Sequence, residues 1–215
     1  MIFLALGGWS SGALAWDCST ITPTTTISPQ NITIPRDLPV GAVIGTQVMT
    51  PSINAFNCWN SSDGVLTNQT FGVKAVGDFD SMIAGRRVYK TNVDGVGYAI
   101  SGSTTNCAPG SANVTGSNTI RGLVDTAKLC ENTSGMITPS LSGNVIVTFY
   151  KTAPETGSGT VMARNVGSLV LLNNLALWKS PEVAVNINAF TVTTPACRLI
   201  NGSIPVDMKN VEKSF

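Results

Sequence analysis

Residues 144–151 read Asn-Val-Ile-Val-Thr-Phe-Tyr-Lys, with Val145, Val147 and Phe149 on alternate positions. A period of two places those three side chains on one face of a strand. Shorter stretches of the same kind recur at 31–34, 42–49, 71–77, 88–91, 97–101, 160–163, 167–172 and 183–192, the last pointing Val183, Val185 and Ile187 inward. Gly, Pro, Asn and Asp stand between them, and Thr, Ser and Val are abundant, a composition that favours strands and turns. Many short strands separated by turn residues predict an all-β fold, a sandwich or a Greek-key barrel.

The connections are legible to different degrees. Asn92-Val-Asp-Gly95 is a hairpin signal, because Asp-Gly tolerates positive φ. Residues 20–29, rich in Thr and Pro, are expected to run extended along an edge. Residues 51–70 carry Pro, Asn, Ser, Asp and Gly around Cys58 and read as a tethered surface loop. Ile120, Leu123, Val124 and Ala127 fall at helical spacing, whereas Gly116 and Gly122 argue against a helix there. Residues 169–178 fit a helix, against which the Asn173-Asn174 pair suggests a loop.

At the amino terminus, the apolar start followed by Ser11-Gly-Ala-Leu-Ala15 resembles a secretory signal over residues 1–15, with a buried strand as the alternative. No apolar run reaches the roughly 20 residues that a membrane-spanning helix needs. Export permits disulfides, and the five cysteines leave one over. The four before Pro195 allow three pairings, of which nearest neighbours give Cys18–Cys58 and Cys107–Cys130. Beyond the break at Thr194-Pro195, Ile204, Val206 and Met208 alternate with Pro205, Asp207 and Lys209. Too few residues follow to bury that face alone, so 193–215 reads as a linker and the first strand of a second domain.

Several chemistries are excluded or weakened by composition. Histidine is absent, which removes Ser-His-Asp and Cys-His catalysis and the histidine zinc motifs. Charged residues make up 12% and the net charge is +1, which removes the electrostatic case for nucleic acid. Asp78 and Asp80, two positions apart, are the candidate pair for a glycosidase, sharing one face if they lie on a strand. Exposed turn carboxylates are the commoner explanation, and no cofactor is called for. The Asn-x-Ser/Thr sites at Asn31, Asn60, Asn68, Asn113, Asn132 and Asn201 fit chance in a chain so rich in these residues.

Trp16, Trp59 and Tyr98 offer aromatic surface beside polar residues, the pairing that holds a sugar ring by stacking and hydrogen bonds. A Cys18–Cys58 bridge brings Trp16 and Asp17 close to Trp59, Asn60 and Ser61, and these five form the candidate ligand site. In the alternative, both Trp rings cap the core.

Three motifs give the chain a resemblance. Thr91-Asn-Val-Asp-Gly-Val-Gly-Tyr-Ala-Ile100 is the first, and Val147-Thr-Phe-Tyr-Lys-Thr-Ala-Pro154 with Gly157-Ser-Gly-Thr160 is the second. The third is Thr194-Pro-Ala-Cys197 with Ile204-Pro-Val-Asp-Met208. Together they resemble the tip adhesins of bacterial chaperone–usher fimbriae, of the type 1 or long polar fimbrial kind. The resemblance implies an elongated immunoglobulin-like, Greek-key β-sandwich over 16–192 that binds a host glycan or glycoprotein and catalyses nothing. It also implies a following pilin domain, completed by a strand from a periplasmic chaperone and then from the adjacent subunit at the usher. Cys197 would find its partner on a later pilin strand, and the protein would be exported through the periplasm to the fimbrial tip. In mannose-binding members, the mature amino terminus and the loop after the first disulfide help form the pocket, which by position implies Trp16, Asn60 and Ser61. The other pocket residues of those members find no match here, so the resemblance does not extend to mannose. The rival readings are a structural subunit contacting only other pilins and a secreted carbohydrate-active enzyme.

Overall fold

A computed structural model describes residues 15–61, 68–133, 138–173 and 177–195, which form strands and turns and no helix. The strands in chain order are β1 (Ala15–Thr20), β2 (Thr24–Ile27), β3 (Ile32–Thr33), β4 (Val43–Met49), β5 (Ile53–Ser61) and β6 (Gln69–Ala75). Next come β7 (Phe79–Ile83), β8 (Arg86–Lys90), β9 (Val96–Ser103), β10 (Ser111–Asn113), β11 (Thr126–Asn132) and β12 (Ser140–Lys151). The last are β13 (Gly159–Val161), β14 (Arg164–Asn173), β15 (Leu177–Trp178), β16 (Val183–Ile187) and β17 (Phe190–Thr193).

One sheet runs β1-β5-β12-β9-β8-β7, with β10 added on β9 and β4 on β12. The second runs β11-β6-β14-β16-β2, with β15 on β14, and a small third sheet is β13-β17-β3. The first two pack face to face. Val147, Phe149, Ile100 and Phe56 from one meet Phe71, Val73, Leu169 and Val185 from the other in a single buried cluster. Phe56 meets Phe71 edge to face at 6.1 Å, and Phe149 lies 4.9 Å from Phe190, which ties in the third sheet. The expected inward face of 144–151 is therefore present, and the all-β sandwich is borne out.

Other expectations need correction. Residues 53–61 are not a surface loop but strand β5, paired with β1 and β12. Ala55, Phe56 and Cys58 are buried, so the polar residues between them mark the outer face of a strand. The segment 120–127 contains a turn and the start of β11, not a helix. Gly116 and Gly122 take φ of 86° and 75°, which a helix cannot hold. Ile120 instead folds onto the outer face of the second sheet beside Val170 and Leu172. It lies so close to Gly72 that an added Cβ there would sit 2.3 Å from Ile120 Cδ1. Residues 183–192 form two strands, since Asn188-Ala189 carries the chain from the second sheet to the third.

Both expected disulfides form, Cys18–Cys58 across β1 and β5 and Cys107–Cys130 from the loop after β9 to β11. Residues 1–14 of the expected leader, and Cys197 with the rest of 196–215, lie outside the described residues.

The bridges close loops of unequal length, with sequence separations of 40 and 23. On the chain-entropy model, replacing both Cys18 and Cys58 by Ala costs about 4 kcal/mol, and replacing both Cys107 and Cys130 costs about 3 kcal/mol. Urea unfolding of the oxidised chain and the two double variants measures both values and their order.

Candidate functional site

Strand β12 gives the domain an axis. Its first residue, Ser140, pairs with Asn57 beside the Cys18–Cys58 bridge, and its last, Lys151, pairs with Val96. The chain leaves at this second end, where Thr194 is held by the turn after β12. Its N–H donates to Ser158 Oγ at 2.9 Å, and its hydroxyl meets that of Thr156 at 2.9 Å. The predicted ligand residues therefore lie at the end away from the chain exit.

There the β1–β5 register sets Trp16 opposite Asn60, Asp17 opposite Trp59 and Ala15 opposite Ser61, so the five predicted positions do come together along the backbone. The side chains of Trp16, Asn60 and Ser61 lie outside the described residues. Cys18 and Cys58 point inward, so their neighbours Asp17 and Trp59 point out. Trp59 is 42% exposed, and it does not cap the core. The Asp17 carboxylate accepts from Lys179 Nζ and from the Cys18 N–H, at 2.7 Å for the latter. The Lys179 hydrogen bond holds its pKa below the ordinary aspartate range. Tyr98 is not part of this surface. It is fully buried, its hydroxyl donates to the Val76 carbonyl, and burial pushes its pKa up to about 12.

The condition under which Asp78 and Asp80 would share a face is not met. Strand β7 starts only at Phe79, and its register breaks between Phe79 and Ser81, so the two residues do not sit on one regular strand. Among the described residues, no three His, Cys, Asp or Glu side chains gather as metal ligands.

A second candidate emerges on the outer face of the first sheet, and the sequence reading missed it. A depression of about 200 Å3 is lined by Gln47, Arg86, Ser103, Ser111, Asn113 and their neighbours from β4, β8, β9, β10 and β12. Arg86 organises it. Its guanidinium donates to Thr148 Oγ1 at 3.2 Å, to Tyr150 Oη at 3.0 Å, to Asn113 Oδ1 at 2.7 Å and to Ser101 Oγ. Its Nε is buried with no hydrogen-bond partner among the described residues. Every acceptor is neutral, and no Asp or Glu lines the depression. No carboxylate among the lining residues therefore offsets this cation, and in a partly dehydrated place an anion is attracted more strongly than at an open surface.

Two sheets enclose one core, two disulfides tie it, and a polar, cation-centred depression lies on its outer face. The chain belongs to the family of MrkD-like receptor binding domains, whose model matches residues 28–176. The resemblance to fimbrial tip adhesins drawn from the sequence is thereby borne out. The receptor binding domain of the plasmid-borne adhesin MrkD1P of Klebsiella pneumoniae has a similar fold, at 19% identity and a TM-score of 0.53 over 86% of this chain and all of that one. The Proteus mirabilis ambient temperature fimbriae adhesin AtfE matches at 19% identity and a TM-score of 0.48, over 81% of this chain and all of that one. The CupB6 tip adhesin of Pseudomonas aeruginosa matches at 7% identity and 0.42, over 81% of this chain and 43% of that one. No curated protein matches the chain.

Because the folded pKa of Asp17 is lowered, its pairing with Lys179 stabilises the fold above the ordinary aspartate pKa and is lost as pH falls through the lowered value. The Asp17 side chain is 52% exposed, so solvent screening keeps the contribution below about 1 kcal/mol. Asp17→Asn should lower the urea midpoint slightly at neutral pH and leave it unchanged in acid below the titration of Asp17.

Proposed function

We propose that the chain is the receptor-binding domain of a fimbrial tip adhesin and attaches a bacterium to a host surface through a glycan that carries an acidic group. The observation that supports this reading is Arg86, a partly buried guanidinium whose described partners are all neutral, at the centre of a polar depression in a receptor-binding domain. A carboxylate or sulfate on the receptor supplies the missing counter-charge. The amides of Gln47 and Asn113 and the hydroxyls of Ser103 and Ser111 supply donors and acceptors for neighbouring sugar hydroxyls. Such a contact weakens with salt, and many fimbriae on one cell raise a weak single-site affinity through avidity.

In this reading residues 16–192 are the adhesin domain, and 193–215 begin the pilin domain that engages the periplasmic chaperone, the usher and the adjacent fimbrial subunit. Export through the periplasm to the fimbrial tip, after removal of a leader over residues 1–15, goes with it.

A second reading keeps the ligand at Trp16, Asp17, Trp59, Asn60 and Ser61. The exposure of Trp59, at the end of the domain away from the chain exit, favours it.

Glycan and host-glycoprotein arrays probed with the chain, Arg86→Gln and Trp59→Ala separate the two. Losing the positive charge should weaken retention of acidic glycans by about tenfold or more in Arg86→Gln and leave Trp59→Ala near wild type. The reverse pattern moves the site to the β1–β5 end. A folded chain that retains no glycan or host glycoprotein removes the lectin assignment.

A further inference from the structure

Lys151-Thr-Ala-Pro154, the last residue of β12 and the turn after it, carries part of the family resemblance, yet the depression around Arg86 makes no use of it. Its structural setting gives it a separate role. A cavity of about 510 Å3 opens where the chain leaves the domain, lined among others by Arg36, Lys151, Glu155, Ser158, Thr194 and Pro195.

Lys151 is only 3% exposed, although an ammonium is strongly hydrated and costly to bury unpaired. Its Nζ donates to the Leu38 carbonyl at 2.7 Å and, at the outer limit of a hydrogen bond, to the Arg36 carbonyl at 3.5 Å. No described carboxylate is bonded to it, and an ammonium carries three donors. Ser158 Oγ accepts from the Thr194 N–H, which leaves its own proton free to be donated. The exposed Arg36 adds a second cation at the wall. Glu155, exposed, is the one carboxylate among the lining residues, so the cavity holds two cations against one anion.

We infer that this cavity is a carboxylate-binding site at the domain exit, with Lys151 as its buried cation, Ser158 as a neutral donor and Arg36 as the outer cation. The inference does not depend on the receptor contact at Arg86. One chemistry, a carboxylate, has two sources here: an acidic side chain of the chain beyond Pro195, where Asp207 and Glu212 stand in this sequence, or a separate molecule.

The test is a titration of the isotope-labelled chain with sodium acetate against sodium chloride at equal ionic strength, following the amide resonances of Ser158 and Thr194. Acetate, but not chloride, should shift them saturably in the wild-type chain or in the Asp207→Asn/Glu212→Gln variant. Binding in the double variant alone identifies the chain's own carboxylate as the occupant. Equal binding in both identifies an external one. Lys151→Met should abolish the shift, and Glu155→Gln, which removes the like charge, should tighten binding severalfold. Arg36 is exposed, so Arg36→Gln tests the site without threatening the fold and should weaken binding severalfold. If neither chain shifts saturably, or if Arg36→Gln and Lys151→Met both bind as the wild type does, the assignment is overturned.

Discussion

Hydrogen bonding of β12 to β9, unbroken from Asn144 opposite Ser103 to Lys151 opposite Val96, is the constraint on which the rest of the molecule depends. On its other side β12 pairs with β5 from Ser140 to Gly143 and with β4 from Ile146 to Tyr150, so over this second stretch it lies between two strands. A central strand cannot slip by one residue, because a slip would exchange its two faces. That register assigns three different tasks to consecutive residues. Val147 and Phe149 fill the core, Thr148 and Tyr150 hold Arg86 on the outer face, and Lys151 ends the strand in the cavity at the chain exit.

The turns of the first two family motifs and the described start of the third, Thr194-Pro195, meet at that exit. The Gly157 N–H donates to the Asp94 carbonyl at 2.9 Å, and the Thr152 N–H donates to the Gly95 carbonyl at 2.9 Å, so the hairpin turn and the turn after β12 lie against each other. Gly95, at φ 71°, fits this contact because a Cβ there would stand 2.4 Å from the Glu155 carbonyl oxygen. The second of these turns then holds Thr194. These motifs describe how the domain is closed and how its chain departs. They carry information about the fold family and none about the ligand, which is why recognising the family does not identify the receptor.

What the sequence made legible follows the same division. Period-two alternation, Asp-Gly turns and nearest-neighbour cysteines are local signals, and β12, the 92–95 hairpin and both disulfides came out of them. The failures are non-local. Residues 53–61 looked like a loop because half of a strand that faces water is as polar as a loop, and only the inward Phe56 and Cys58 tell them apart. Ile120 and its neighbours showed helical spacing, but two glycines at positive φ and the close seat of Ile120 over Gly72 decided for a turn. Tyr98 read as surface because its hydroxyl is polar, and the Val76 carbonyl that satisfies it inside the core is distant in sequence. The Arg86 depression was least legible of all. Its acceptors are ordinary Thr, Tyr, Ser and Asn residues spread over three strands, and nothing in their spacing singles them out.

Arg86 and Arg87 show how neighbours in sequence become opposites in chemistry. Alternation along β8 sends them to different faces. Arg87 has its anion in place. Its Nε donates to Asp125 Oδ1 at 3.1 Å, its guanidinium stacks 4.2 Å from the centre of the Phe79 ring, and Tyr89 donates to the same carboxylate at 2.7 Å. That charge is neutralised within the domain and has little left to offer a ligand. Arg86 has neutral oxygens only, which accept from its two terminal nitrogens without cancelling its field and leave its Nε without a described partner. At an effective dielectric of about 20, a carboxylate roughly 4 Å away gains on the order of 4 kcal/mol of Coulomb attraction before desolvation is counted. For Arg87 that gain is already taken up by Asp125. For Arg86 no described carboxylate takes it up, and this difference in partners, more than exposure, sets the two neighbouring arginines apart.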